Sequence, residues 1–177
     1  MRTVLLFSFF ILSLLFSVPS LAATGDDIEI TADQLKMDLT SQSLKLTDNV
    51  EVQYLDVTIK SPTAFYQYDK KELWMGSAVR ATFKDLSFSS QELRVYQRQG
   101  ELVGSGTVKV LFDPYTGYAE KVRYLKEKNV IILTGNPRFV NQDETLHAET
   151  LILNTETRQI ESRGKTRFSS SKKTKET

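Results

Sequence analysis

The chain has 177 residues, no cysteine and a nearly balanced charge, with 23 Lys and Arg against 22 Asp and Glu. This balance argues against a nucleic-acid partner, which needs a basic surface. Without cysteine there is no disulfide, no lipid-attachment site and no thiolate metal site. With the single histidine, His147, there is no set of residues for zinc or nucleophile–base chemistry, so we expect no enzyme, metal or cofactor.

The first 22 residues have the pattern of a secretory signal peptide. Met1 and Arg2 precede an apolar run over 4–18, and Ser20 and Ala22 are small residues at the −3 and −1 positions of a cleavage site. A retained membrane anchor is the alternative, but the run is shorter than the roughly 20 apolar residues that cross a bilayer core. We therefore expect residues 1–22 to be removed and the mature chain to be exported.

The mature chain repeats its pattern every 29 residues, five times over. Small residues recur at each step, and apolar residues recur in phase three, twelve and twenty positions after them. A fixed period of this length is typical of stacked repeats that bury apolar faces against their neighbours. The small column consists of Ala32, Ser61, Ser90, Ala119 and Ala148.

Within each unit, apolar and polar residues alternate with period two, which predicts strands. Polar turns separate two strands of about twelve residues, which is long for a strand. The alternation slips by one residue after the small column, as at a β-bulge. On the return strand the matching corner is rich in Gly and Asn, which tolerate the backbone angles of a sharp bend. These corners are Asp48-Asn49, Ser77-Ala78, Gly106-Thr107, Gly135-Asn136 and Gly164-Lys165.

Every strand is therefore expected to fold over at its middle. About ten such strands side by side predict an all-β fold, an antiparallel bent-strand β-jellyroll or "β-taco", with two facing sheets and an open apolar groove. A parallel β-helix with one coil per 29 residues is the rival architecture, although it does not need two tight polar turns per unit.

The two ends of the mature chain differ in charge. Residues 24–60 contain eight acids and three lysines, whereas residues 163–177 contain six bases and one acid. We place the folded domain at 27–168 and expect residues 169–177, which lack apolar side chains, to be a disordered basic tail. The unblocked edge strands and opposite charges favour head-to-tail self-association, although a solvated charge run is the simpler interpretation of the tail.

Two segments, Leu46–Val52 and Leu133–Pro137, each follow an Ala-acidic strand start, Ala32-Asp33 and Ala119-Glu120. With the stretch from Tyr118 to Ala148, they resemble the OstA-like (LptA/OstA) family of lipopolysaccharide-transport proteins. The resemblance covers roughly 27–168 and departs from the usual pattern where Asp48 and Ser77 replace glycine at the first two corners.

The resemblance implies a periplasmic lipopolysaccharide-binding bridge that carries its cargo from the inner to the outer membrane and contributes to outer-membrane assembly. The implied partners are lipopolysaccharide through its acyl chains, an LptC-like subunit at the N-terminal edge, an LptD-like translocon at the C-terminal edge, and further copies of the chain. An LptC-like membrane-anchored subunit and a purely structural β-repeat protein with a dry core are the alternatives.

Inward positions of the alternating strands are the candidate lipid-binding residues, although such residues are core in any two-layer protein. Six of them (Ile28, Ile30, Met37, Tyr66, Val95 and Tyr124) occupy positions that the resemblance implies for the lipid. We expect residues at the closed fold, including Leu35, Leu44 and Leu46, to be packing only. The candidate groove residues are Ile28, Ile30, Met37, Leu39, Ile59, Tyr66, Phe83, Phe88, Val95, Phe112, Tyr124, Leu133 and Phe139.

Overall fold

The computed structural model describes residues 27–171 as an antiparallel β-structure with two single-turn 3-10 helices, Gln97–Gln99 and Lys126–Lys128. The predicted signal peptide, 1–22, lies outside these residues, as does most of the predicted tail. In the described part, no helix is long and apolar enough to cross a membrane. The strands are β1 Ile28–Thr31, β2 Gln34–Asp38, β3 Ser43–Tyr54, β4 Val57–Gln67, β5 Glu72–Phe83, β6 Leu86–Tyr96, β7 Glu101–Phe112, β8 Tyr115–Leu125, β9 Val130–Thr134, β10 Arg138–Val140, β11 Glu144–His147, β12 Thr150–Asn154, β13 Ile160–Arg163 and β14 Arg167–Ser170.

Hydrogen bonds join all of the strands into one 14-stranded sheet that does not close on itself. The sequence predicted two facing sheets made of strands that fold over at their middle, and the long strands β3 to β8 do run through the bend and belong to both sides. We call the two sides leaf 1 and leaf 2. Leaf 1 contains β1, β10, β11, β14 and the parts of β3 to β8 that pair with them, and leaf 2 contains β2, β9, β12, β13 and the remaining parts of β3 to β8.

The bend has the same cause in successive strands. The pairing register shifts between Thr47 and Val50 in β3, and equivalent shifts occur between Gly76 and Val79 and between Ser105 and Val108. Left-handed backbone at each corner produces the bend, as the sequence predicted. Positive φ values occur at Asp48, Asn49, Ser77, Ala78, Gly106, Thr107, Gly135, Asn136 and Gly164.

The two corners without glycine are bent as well. Asp48 and Asn49 have φ of 64° and 49°, and hydrogen bonds to the adjoining strand start support them. Asn49 Nδ2 donates to Asp33 Oδ2 at 2.6 Å, and the Asp33 amide donates to the Asp48 carbonyl at 3.0 Å. Ser77 and Ala78 adopt φ of 64° and 66°, a conformation that costs most L-residues about 1–2 kcal/mol.

The last strand extends beyond the predicted domain end at Phe168. Ser169 pairs with Thr145 and Ser170 with Glu144, so both residues belong to β14. Polar side chains at these positions do not prevent pairing, because the ladder uses backbone groups and both residues are exposed to water.

Replacing a glycine at one corner and introducing a glycine at another should reveal the backbone strain. We expect Gly135→Ala to destabilise the fold by at least about 1–2 kcal/mol, because a Cβ there would lie 2.5 Å from the Glu120 Cβ at a φ of +76°. Ser77→Gly should be neutral or stabilising by up to about 1 kcal/mol, since relief of strain is partly offset by entropy in the unfolded chain. Urea unfolding measures both, and a Ser77→Gly variant much less stable than the parent would contradict the role of the corner.

Candidate functional site

The space between the leaves is filled by apolar side chains from both. Of the thirteen candidate residues, nine are buried here and make up much of one continuous core. They include aromatic rings from both leaves, and Phe83 of leaf 1 stacks on Tyr124 of leaf 2 with ring centroids 4.8 Å apart. The nine buried candidates are Ile59, Tyr66, Phe83, Phe88, Val95, Phe112, Tyr124, Leu133 and Phe139.

The other four candidates lie at the N-terminal end of the sheet. Ile28 and Ile30 are half-buried and pack against the core. Met37 is 50% exposed, and Leu39 is 81% exposed because it belongs to the turn after β2 and not to a strand. The structure therefore places these two at an open end of the interior and not within it.

Leu35 was expected to be a packing residue at the closed fold, and this expectation is wrong. Its side chain is 56% exposed, whereas Leu44 and Leu46 of the neighbouring strand are buried. The reason is its position in β2, which pairs only with β3 and forms an edge of leaf 2. The alternation predicted correctly on which face of the sheet Leu35 lies. It could not predict that no strand of the other leaf covers it.

A hollow of about 380 Å³ opens at this end of leaf 2. It is lined by Met37, Leu39 and Tyr68, with Asp38, Gln42 and Asp69 at its polar side. This size falls within the range of ligand pockets, about 300–1,000 Å³. A larger hollow of about 790 Å³, lined by Asp48, Glu51, Lys60 and Arg80 among others, lies over the outer side of the bend. Charged side chains line it beside Val50, Pro62 and Ala78, and no candidate groove residue does, whereas Met37 and Leu39 line the smaller hollow.

The bend closes one long side of the interior. Polar contacts close the opposite long side, where the turns of the two leaves meet. We call this side the rim. The leaf 1 turns of the rim are 55–56, 84–85 and 113–114, and the leaf 2 loops are 97–100, 126–129 and 155–159.

Three sets of contacts cross the rim. The Tyr54 hydroxyl donates a hydrogen bond of 3.1 Å to the Gln97 carbonyl, and Lys126 Nζ lies 2.7 Å from Asp56 Oδ1. Arg158 forms an ion pair with Asp85 and donates to the Asp113 carbonyl at 2.7 Å. The sequence analysis identified none of these contacts, because hydrogen-bonded partners 43, 45 and 73 residues apart leave no local pattern.

The aromatic hydroxyls under the rim remain protonated. Burial is the main factor that raises the pKa of the Tyr124 phenol, and the negative charges of Asp56 and Glu156 raise it further. Burial likewise raises the pKa of Tyr66, whose hydroxyl donates to Gln97 Oε1 at 2.7 Å. Both phenols are therefore neutral at the border between the apolar interior and the polar rim, and Tyr66 acts there as a hydrogen-bond donor.

The leaves are offset along the sheet. Each leaf 2 loop that reaches the rim contacts a leaf 1 turn from several strands earlier in the chain. As a result, the first strands of leaf 2 and the last strands of leaf 1 have no facing strand. Five of the eight exposed large apolar residues of the described chain lie there, with Leu35, Met37, Leu39 and Tyr68 at one end and Phe168 at the other. The remaining three, Phe65, Trp74 and Leu111, lie on the outer faces of long strands.

Comparison with known proteins identifies the family. A family model described as "LptA/(LptD N-terminal domain) LPS transport protein" matches residues 29–159. The chain belongs to this family.

The crystal structure of LptH from Pseudomonas aeruginosa, described as the LptA homologous periplasmic component of the conserved lipopolysaccharide transport device, is similar to this chain. The match covers 84% of this chain and 100% of that one, at 13% identity and a TM-score of 0.35. No curated protein matches the sequence. The family assignment confirms the resemblance found in the sequence, and the fold is the expected antiparallel β-jellyroll.

Truncations should separate core residues from residues of the open end. We expect Phe88→Ala to destabilise the fold by about 3–5 kcal/mol, because its ring is 2% exposed and truncation leaves a cavity. Leu39→Ala should change stability by less than about 0.5 kcal/mol, since the side chain is mostly in water. Urea unfolding of both variants checks this, and equal losses would contradict the division between core and open end.

Proposed function

We propose that this protein is a periplasmic, non-enzymatic bridge that binds lipopolysaccharide and carries it from the inner to the outer membrane. The family match over residues 29–159 carries the proposal. The apolar space between the leaves supports it, since acyl chains need an interior that shields them from water. Transfer of a lipid between membranes requires binding and release but no covalent chemistry.

The driving force for binding is the removal of the tails from water. Burial contributes about 0.8 kcal/mol per methylene, so a ten-carbon stretch gains on the order of 8 kcal/mol. The interior side chains already pack against one another, so the leaves must separate for a tail to lie between them. The thirteen candidate residues remain the proposed lipid contacts, and the hollow at Met37, Leu39 and Tyr68 is the proposed point of entry.

Photocrosslinking in cells tests this function. A benzophenone amino acid replaces Tyr124 or Phe139, which are buried between the leaves, or Trp74, which lies on the outer face and serves as the aromatic control. We expect the interior positions to capture lipopolysaccharide and the control to capture little. If the labelled protein is exported normally but captures no lipopolysaccharide from either interior position, the result would favour a purely structural β-repeat protein.

We also propose that copies of the chain associate end to end. Within the described residues, β1 and β2 pair only with β3, β13 pairs only with β12, and β14 pairs only with β11. Each end of the sheet therefore has backbone groups available to a further strand. The offset exposes apolar side chains at both ends, Met37 and Leu39 among them on leaf 2 at the first end and Phe168 on leaf 1 at the last. A contact between unlike ends of this kind produces an open chain of molecules.

The pairing of β3 with β4 supplies a register for the junction. Leu44 pairs with Tyr66, Lys45 with Phe65 and Val52 with Ile59. The last strands lie four steps of 29 residues after β3 in the sequence, and the first strands lie one step before β4. Continuing this spacing across the junction places Ile160 opposite Met37, Glu161 opposite Lys36, and Phe168 opposite Ile30 of the next copy. The apolar pairs then face the interior and the opposite charges face water.

Disulfide trapping tests this register, since the chain has no cysteine of its own. A variant with Met37→Cys and Ile160→Cys should form a ladder of covalent oligomers on mild oxidation, because directly opposed residues have Cα atoms about 4.5–5.5 Å apart. Met37→Cys with Glu161→Cys is the control, since a shift of one residue points the side chain to the other face.

A ladder of equal yield from the control, or none from the matched pair at high protein concentration, would contradict the register. In the assembled bridge, the first edge is the proposed site for an LptC-like subunit and the last edge the proposed site for an LptD-like translocon. An LptC-like role for this chain itself is the alternative, and it requires that the N-terminal segment be retained.

A further inference from the structure

The two ion pairs that cross the rim have the same polarity. In each, a leaf 2 loop supplies the cation and a leaf 1 turn supplies the acid, with Lys126 facing Asp56 and Arg158 facing Asp85. When the leaves separate, the two cations remain together on one lip and the two carboxylates on the other. Opening the rim therefore exposes these two cations on the leaf 2 lip, whose loops also carry Glu127 and Glu156.

Lys126 and Asp56 are both partly shielded from water, with side-chain exposures of 31% and 33%. Asp56 Oδ1 has no hydrogen bond of ordinary geometry, although the Lys126 ammonium lies 2.7 Å away. This carboxylate oxygen is therefore stabilised mainly by the charge of Lys126. The Lys126 ammonium is a compact point charge with rotatable donors, so another anion can take the place of the carboxylate beside it.

The Arg158 guanidinium contacts three neighbouring residues. Nη1 is bonded to Asp85, Nη2 donates to the Asp113 carbonyl at 2.7 Å, and the group lies 4.3 Å from the centre of the Phe112 ring. Phe112 belongs to the buried core, so the cation lies directly above the apolar interior. The ion pair with Asp85 is exposed to water, and such pairs contribute little net stability.

These positions match what a lipid with a charged head requires. Tails between the leaves place the head at the rim, where Lys126 and Arg158 are the cations that separation releases. A phosphate accepts paired hydrogen bonds from Arg and interacts with Lys as a point charge. Both interactions are stronger than hydrogen bonds to a neutral acceptor. Asp56 and Asp85, in contrast, lie on the opposite lip and turn away with it, whereas Glu127 and Glu156 stay in the loops that carry the cations.

We propose that Lys126 and Arg158 form a binding subsite for the phosphates of a glycolipid head, and that Asp56 and Asp85 occupy this subsite when no lipid is bound. This inference rests on the proposed function. Loading exchanges carboxylate partners for phosphate partners, so the closed rim excludes water from the empty interior and the anionic cargo stabilises the open form. An apolar molecule without phosphate opens the same rim but gains no replacement for the lost ion pairs.

Two double variants of the exported chain distinguish this exchange from a simple clasp. Asp56→Asn with Asp85→Asn breaks both pairs and leaves the cations free. Lys126→Met with Arg158→Met breaks the same pairs and removes the cations. Uptake of an uncharged apolar dye, followed by fluorescence, reports opening, and binding of bisphosphorylated lipid A and of enzymatically dephosphorylated lipid A reports the subsite.

Both variants should take up the dye more readily than the parent. On bisphosphorylated lipid A, the variant with free cations should bind roughly tenfold or more tightly than the variant without them, as expected for one or two charge-assisted hydrogen bonds. On dephosphorylated lipid A, the two should agree within about twofold. Single variants Asp85→Asn and Arg158→Gln repeat the contrast at one exposed pair if a double variant does not fold.

Equal binding of bisphosphorylated lipid A by the two variants would overturn the subsite. Unchanged dye uptake in both would overturn the view that these pairs hold the rim closed. Failure of the parent and all variants to bind either form of lipid A would contradict the proposed function itself and not only the subsite.

Discussion

The sharp bend in the middle of each long strand is the constraint on which the rest of this structure depends. Left-handed residues such as Ser77 and Gly135 turn the backbone and shift the register, so that one ladder of hydrogen bonds serves both leaves. Because the leaves are covalently continuous, neither can slide independently of the other. The apolar residues of both leaves therefore face each other, and their burial stabilises a fold whose long strands have no helix to pack against.

The offset between the leaves follows from the same geometry. A twisted sheet folded along a line crossing its strands does not place each strand over its own other half. Rim contacts consequently join turns that are distant in sequence, as Arg158 does with Asp85 and Asp113. The same offset uncovers apolar side chains at both ends. A covered middle and uncovered ends are thus one property of the fold.

Alternation and spacing predicted the fold class, the bends and the core, because side-chain direction in a strand is a local property. They failed for Leu35, whose exposure depends on the absence of a further strand at the edge of leaf 2. They gave no account of Trp74, whose indole lies over the outer face of Gly76 and would clash with any Cβ there, at 2.5 Å. The sequence could not predict the ion pairs of the rim, because Lys126 and Arg158 are ordinary loop residues whose acidic partners are distant in sequence. The alternation of side chains along each strand determines which residues form the two leaves. Only the tertiary arrangement determines which loops meet at the rim.

A filled interior is compatible with a carrier, because an empty trough in water would be unstable. Phe83 and Tyr124 stack on each other in the buried core, and separation of the leaves would expose their rings. In the proposed carrier function, a lipid tail takes the place of these contacts at little net cost, since apolar attraction is not directional. The free energy of loading then comes from the tail leaving water, at about 0.8 kcal/mol per methylene, and not from new contacts of special geometry. Such binding is broadly tolerant of chain length, which leaves the polar rim as the part of the site able to discriminate between head groups.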